Sequence, residues 1–273
     1  AADEGAARYL NATVRSDRAD LHESLDRLRA QVPAVKHVSL VVSWYGDDLR
    51  AGVCKIRPCV ELTEKETSPY EWTVNGLSRA AAREISKDAL GRPVYGGTPS
   101  DRSVVEAIRE LKRRGYKVTF YPFIMMDIPA GNTLPDPYSA NGAGVGQPAF
   151  PWRGRITCHP APGFAGTVDK TGTANTQISA LFGACTPAQF TRGADSVAFT
   201  GTASEFGVRR MILHYAHLCE VAGGVDAFLI GSEMPGVTSV RRNTTTAFPG
   251  VERYVTLASD VRGILRAQTE ISY

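Results

Sequence analysis

Three apolar runs set the limits on what this chain can fold into: HVSLVVSWY at 37–45, KVTFYPFIMMDI at 117–128 and VDAFLIGSE at 225–233. Each is dense in β-branched and aromatic residues with little polar alternation, the pattern of a parallel strand covered on both faces. Around them the apolar period changes from continuous to three or four residues. Val104, Ile108 and Leu111 form one such stripe, and Val208, Met211, Tyr215, Leu218 and Ala222 a second. Tyr254, Leu257, Val261 and Ile264 form a third, over a helix at 252–266, while Leu21, Leu25, Leu28 and Val32 make an earlier one that Pro33 closes. These are the buried faces of amphipathic helices. Alternating strands and helices of this kind predict an α/β chain with a parallel sheet.

Weaker signals fill in the rest. Leu77, Ala80, Ala81 and Ile85 suggest a further helix, and Gly91 to Tyr95 a short strand. In GGTPSD, Thr98 reads as an N-cap, Pro99 as the first helical residue and Asp101 as the capping-box acid. Gly115 and the pair Gly223-Gly224 supply helix stops. Residues 129–200 are rich in Pro, Gly, Asn and Thr, a large irregular insertion of the kind that is functional or separately packed. Counting strands at about 37–45, 92–95, 117–128, 225–232 and 270–273 gives five. No GxGxxG follows the first strand and no GxxxxGKS occurs, which removes the usual support for a dinucleotide or P-loop fold. The expectation is therefore a (β/α)8 TIM-barrel-like chain with about the first five strand units present. Residues 1–36 form a lead-in with a helix, and 37–273 a partial barrel that stops in its fifth strand. The chain starts Ala1-Ala2 without Met and ends EISY as a strand opens, so a segment of a longer polypeptide is expected.

Charge and cysteines narrow the function. A formal charge of +3 from 31 basic and 28 acidic residues, with no basic run, gives no case for direct nucleic-acid binding. No apolar segment approaches the ~20 residues of a membrane span. Five cysteines at irregular spacing fit reduced thiols better than a disulfide framework or a zinc site. His214 and His217 share a helix face but lack the Glu of HExxH, so ordinary packing or solvent exposure is the expected role and neither a metal nor another cofactor is predicted.

In a barrel of this class the site lies where the strands end at their C-termini. Those ends carry Trp44, Tyr45, Asp47 and Asp48, then Tyr95, then Asp127 with Asn132 beyond it, then Ser232 and Glu233. The set is aromatic and acidic, which suits sugar rings and their hydroxyls. Two readings stand at Glu233. One is a general acid, its carboxyl desolvated beside Phe228, Leu229 and Ile230. The other is a structural carboxylate that caps the next turn or pairs with Arg241 or Arg242. Asp47 and Asp48 fit turn formation as well as binding. Trp152 and Arg153, in PWRGR, form either a binding lip or an anchor for the insertion.

The segments SWYGDDLRAG, GRPVYGGTPSD, YPFIMMDIPAGNTLPDPY, QPAFPWRGRIT, RRMILHYAHL, GGVDAFLIGSE and LASDVRGIL resemble the TIM-barrel-like glycoside hydrolase domain of the tail hub protein of gene transfer agents and related tailed phages. The resemblance runs from about residue 37 to the end. It implies a segment of a virion tail-tip or baseplate protein, assembled in the bacterial cytoplasm within a homo-oligomeric hub among other tail subunits. It also implies a glycoside hydrolase-like barrel that meets host surface polysaccharide or peptidoglycan, as a structural or glycan-binding module or as an active glycosidase. Barrels of the wider hydrolase group place an acid/base Glu at the end of the fourth strand, usually after Asn, and a nucleophile at the end of the seventh. Glu233 is the counterpart of the first, with Ser232 where Asn is usual. A nucleophile would lie after residue 273.

Overall fold

The computed structural model describes residues 13, 18–243 and 246–273, so the first part of the lead-in lies outside the described residues. A five-stranded sheet forms the centre. Its strands are β1 (His37–Gly46), β2 (Ile56–Arg57), β3 (Lys117–Met126), β4 (Ala227–Leu229) and β5 (Glu270–Ser272), in the spatial order β5-β4-β3-β1-β2. β1, β3, β4 and β5 are parallel and follow one another across the sheet in chain order, while β2 folds back antiparallel on the end of β1. Parallel neighbours in chain order, joined through helices, are the repeating unit of a TIM barrel. The fold is α/β and TIM-barrel-like.

The helices are α1 (Asp20–Gln31), α2 (Asp101–Arg113), α3 (Gly172–Phe182), α4 (Val208–Val221), the short α5 (Pro235–Thr238) and α6 (Pro249–Ile264). α2 and α4 pack on β3, and α6 packs beside α4. The core between sheet and helices is built from every second residue of β3, with Val118, Phe120, Ile124 and Met126 buried against Ile108, Leu111, Tyr215 and Phe228. None of the helices among the described residues is long and apolar enough to cross a membrane. All five cysteines are buried and free.

The strands depart from the expectation of burial on both faces. β3 alternates between buried and partly exposed residues, and in β1 continuous burial begins only at Trp44, with Val41 50% exposed. Helices cover one face, and the other is open along much of its length. Near the C-terminal end of β1 this inner face is covered by a small second cluster of Tyr45, Cys59 and Ile85 with Val94, Tyr95 and Met125.

Residues 47–100 explain that cover and hold three corrections. The helix expected over 77–85 is replaced by a hairpin, Thr73–Val74 with Leu77–Ser78, and a short strand at Arg83–Glu84 paired with Cys59–Val60. The turn is Asn75-Gly76, both at positive φ (56° and 81°), a dipeptide that favours two-residue hairpins over helices. The strand expected at 92–95 is absent from the sheet; Pro93 makes a single bridge to Lys87. The four parallel strands are thus β1, β3, β4 and β5. Ser100, not Thr98, caps α2, accepting from the Ser103 N–H. Asp101 turns inward instead of closing a capping box, and binds His214 and the Val197 N–H.

Residues 129–200 are more ordered than an irregular insertion. They contain α3, which packs on α6, and the hairpin Phe190–Arg192 with Val197–Phe199, which packs on α4. Both long excursions leave from C-terminal ends of parallel strands, the end where barrels build their sites.

Candidate functional site

The segment after β4 reads Ile230-Gly231-Ser232-Glu233-Met234, and α5 starts at Pro235. Glu233 sits at φ 53°, the left-handed region, which costs a side-chain-bearing residue on the order of 1–2 kcal/mol. Contacts on either side hold it there. The Met234 N–H donates to the Tyr273 hydroxyl at 3.1 Å. Gly236 lies so close to the 154–156 backbone that a Cβ would stand 2.4 Å from the Ile156 carbonyl oxygen. This close approach brings Glu233 to the PWRGR segment of the excursion.

There Trp152 Nε1 donates to Glu233 Oε2 at 2.8 Å, and Arg153 Nη2 lies 3.0 Å from the same oxygen. Arg153 is 5% exposed. Its Nε donates to the Ser232 carbonyl (3.1 Å), and its Nη2 to the Tyr121 hydroxyl (3.1 Å) and Ser232 Oγ (3.0 Å). Its guanidinium carbon stands 3.8 Å from the centre of the Phe123 ring, a cation–π contact. Tyr121 and Ser232 share a further hydrogen bond between their hydroxyls. A planar, five-donor guanidinium is suited to joining a strand, a loop and a carboxylate in this way.

The indole of Trp152 is 49% exposed and lies against Gly154, where a Cβ would be 2.5 Å from the ring. Two residues earlier Phe150 sits at φ 45°, its ring edge-on to Tyr95 at 5.7 Å, and Tyr95 meets Tyr45 at 5.8 Å. The result is a half-exposed indole whose N–H is fixed by a carboxylate and whose carboxylate is fixed by a buried arginine. Glu233 Oε1 makes no hydrogen bond among the described residues. Such an array can stack an apolar ring face on Trp152 and accept a hydroxyl proton at Glu233.

Trp152, Arg153, Ser232 and Glu233, all singled out from the sequence, meet here. Trp44, Tyr45, Asp47, Asp127 and Asn132 do not. Trp44 is fully buried toward the helices, its N–H on the Tyr215 hydroxyl at 2.9 Å, and offers no stacking surface. Tyr45 is 3% exposed, and its hydroxyl is spent on the Gly96 carbonyl. Asp47 accepts from the Lys55 N–H and pairs with Arg57, a turn carboxylate. Asp127 is 1% exposed and faces Arg83 (2.9 Å) and the Ser86 N–H, not Glu233. Asn132 uses both ends of its amide on Pro129, Leu134 and Gln147, organising the excursion.

Glu233 itself differs from the acid expected. Its side chain is 58% exposed, so the desolvated setting is missing, and its partner is Arg153 rather than Arg241 or Arg242, which pair with Asp169 and Glu252. It also follows the third of the four parallel strands, not the fourth. No second carboxylate joins the bonded cluster among the described residues. The sequence reading missed Tyr121, Phe123 and Gly154. Tyr121 and Phe123 had a signal, being alternate residues of one strand and so on one face. His214 is buried between Asn75 and Asp101, and His217 bonds Arg192 and the Pro187 carbonyl. Among the described residues no group of three or more His, Cys, Asp or Glu is placed to hold a metal.

Comparison with known proteins adds three findings. Residues 206–273 match the model of the GTA TIM-barrel-like domain. No curated protein matches the chain significantly. Solved structures similar to the chain include "Complex structure of GH113 beta-1,4-mannanase" (14% identity, TM-score 0.43, 92% of this chain and 48% of that one) and "Structure of GH113 beta-1,4-mannanase" (12%, 0.42, 93% and 49%). The chain spans about half the length of these two. The matched segment 206–273 includes α4, β4, Ser232, Glu233, α6 and β5, and it falls within a sheet whose own strand order is that of a TIM-like barrel.

Proposed function

We propose that this chain is a glycoside hydrolase-like module of a virion tail hub or baseplate protein, and that it holds host surface polysaccharide or peptidoglycan at the Trp152–Glu233 mouth without cutting it. The tail-hub setting rests on the motif resemblance, and the glycoside hydrolase-like barrel is supported by the family match to a TIM-barrel-like domain over 206–273. One observation carries the binding role: the half-exposed Trp152 ring, backed by Gly154 and tied through its N–H to Glu233. An aromatic face beside a hydrogen-bond acceptor is what a sugar ring needs.

Holding is favoured over cutting by the state of Glu233. Its Oε2 already accepts an indole N–H and pairs with a guanidinium, which suits a fixed acceptor better than a proton donor. Hydrolysis also requires two carboxyl groups, ~5–5.5 Å apart for retention and wider for inversion. The cluster supplies one. The test is co-sedimentation of the 273-residue chain with purified peptidoglycan and with envelope polysaccharides, together with chromatography of the supernatant for released sugars. The expected result is retention on one of these polymers, lost on the order of tenfold in Trp152→Ala, with no sugar release. Equal retention of the variant sinks the binding role, and released oligosaccharide that disappears in Glu233→Gln establishes the glycosidase instead.

A further inference from the structure

Outside the mouth, a cavity of about 540 Å³ lies between the end of α3 and the first turns of α4 and α6, lined by Ser179, Gly183, Ala184, Arg209, Arg253 and Thr256 among others. No carboxylate lines it. Arg209, which lines it, is neutralised by Asp260 (2.6 Å), and the neighbouring Arg242 by Glu252 (2.9 Å). Arg253, the other arginine of the lining, has no carboxylate partner among the described residues. Its one hydrogen bond goes to Ser179 Oγ, whose own proton is donated to the Asn175 carbonyl, and its Nε is buried without a partner. Glu205, beside Gly183, is already used by the Ala184 and Cys185 N–H groups.

This arrangement is costly as it stands. Burial lowers the Arg253 pKa; Glu252 opposes that shift, and the neighbouring charges of Arg209 and Arg242 add to it. A guanidinium nevertheless keeps its proton, so it cannot relieve the cost by becoming neutral. A partly buried charge with an unused donor is relieved by a counter-charge. We propose that this cavity is an oxyanion site, in which a phosphate or carboxylate group bridges Arg253 and Arg209. The volume exceeds that of a bare oxyanion and leaves room for the body of a small molecule or the end of a chain that carries the group. The site is separate from the Trp152–Glu233 mouth and does not depend on the glycan reading.

The experiment is a titration of the 273-residue chain with inorganic phosphate and, separately, with citrate, each against sodium chloride at matched ionic strength. Two signals are followed, the thermal midpoint and the Arg253 Nε–H resonance. A saturable rise in midpoint with either oxyanion, accompanied by movement of that resonance, is expected; which anion acts distinguishes a phosphate from a carboxylate ligand. Arg253→Gln is expected to weaken the effect on the order of tenfold and, in anion-free buffer, to melt no lower than the parent, because an unpaired buried charge has been removed. Thr256→Trp fills the cavity from an exposed position and leaves both arginines in place, so it should weaken the effect equally and decides the matter if Arg253→Gln does not fold. Absence of any saturable effect beyond chloride overturns the proposal. So does a titration in which Thr256→Trp behaves as the parent.

Discussion

Glu233 links a strained backbone position to two side chains from a distant segment, and the energetics at this position are unlike those of an ordinary exposed glutamate. Its own side chain is 58% exposed, but its partner Arg153 is 6% exposed. Removing the exposed member strands the buried one. Glu233→Ala is therefore expected to cost about 1–2 kcal/mol in urea unfolding, where most surface substitutions stay within about 0.5 kcal/mol. A double-mutant cycle with Arg153→Ala should return a coupling on the order of 1 kcal/mol; a coupling near zero means the pair does not hold the mouth together. The residue type was legible in the sequence, as a carboxylate after an apolar strand. Its partner was not, because Trp152 and Arg153 are about eighty positions away and reach it only through the close approach at Gly236.

At the scale of elements, long apolar stripes were readable and short segments were not. α2, α4 and α6 follow their apolar periods to within a few residues, since burial of one face dominates a helix of this length. Between residues 47 and 100 the periodicity of Leu77, Ala80, Ala81 and Ile85 misled, and the Asn75-Gly76 turn was the overriding signal. Trp44 misled by parity: it pairs in register with the buried Ile124 and so faces the helices, whereas Tyr45 and Met125 face the inner side. The hairpin at 190–199 docks on α4 through His217, which donates Nε2–H to the Pro187 carbonyl and accepts at Nδ1 from Arg192. That pattern requires a neutral ring. Burial, then the Arg192 charge, lowers the His217 pKa from 6.5 to about 4. A base depressed in the folded state contributes stability that is fully present above the unfolded value of 6.5 and is lost as pH falls toward about 4. The full loss is roughly 3 kcal/mol from the size of the shift. Unfolding free energies measured at pH 7.5 and pH 5 should diverge for the parent chain and converge for His217→Gln; an equal pH dependence in both rules this histidine out as the cause.

At the scale of the whole molecule, the parallel sheet has helices on one face only among the described residues, whereas parallel sheets are ordinarily covered on both. Adjacent residues of β1 record the difference, with Val42 at 3% exposure and Val41 at 50%. Val42→Asp should destabilise the chain by about 3–4 kcal/mol or prevent folding, and Val41→Asp by no more than about 1 kcal/mol. Equal effects, read by chemical denaturation, mean the inner face is covered in solution. The barrel-like order of strands was legible from three apolar runs, but how far the inner face is covered depends on residues 47–100, where the sequence signals conflicted. The same distribution of burial offers a direct reading of the mouth. Of the three tryptophans, Trp44 is 0% exposed, Trp72 5% and Trp152 49%, so collisional quenching of tryptophan emission reports almost entirely on Trp152. The decisive measurement is acrylamide quenching of the chain with and without soluble peptidoglycan fragments or envelope oligosaccharides. Bound glycan is expected to shield the quenchable component, and Trp152→Ala to lack this component and bind on the order of tenfold more weakly. Glycan that binds while the Trp152 emission stays fully quenchable would contradict it.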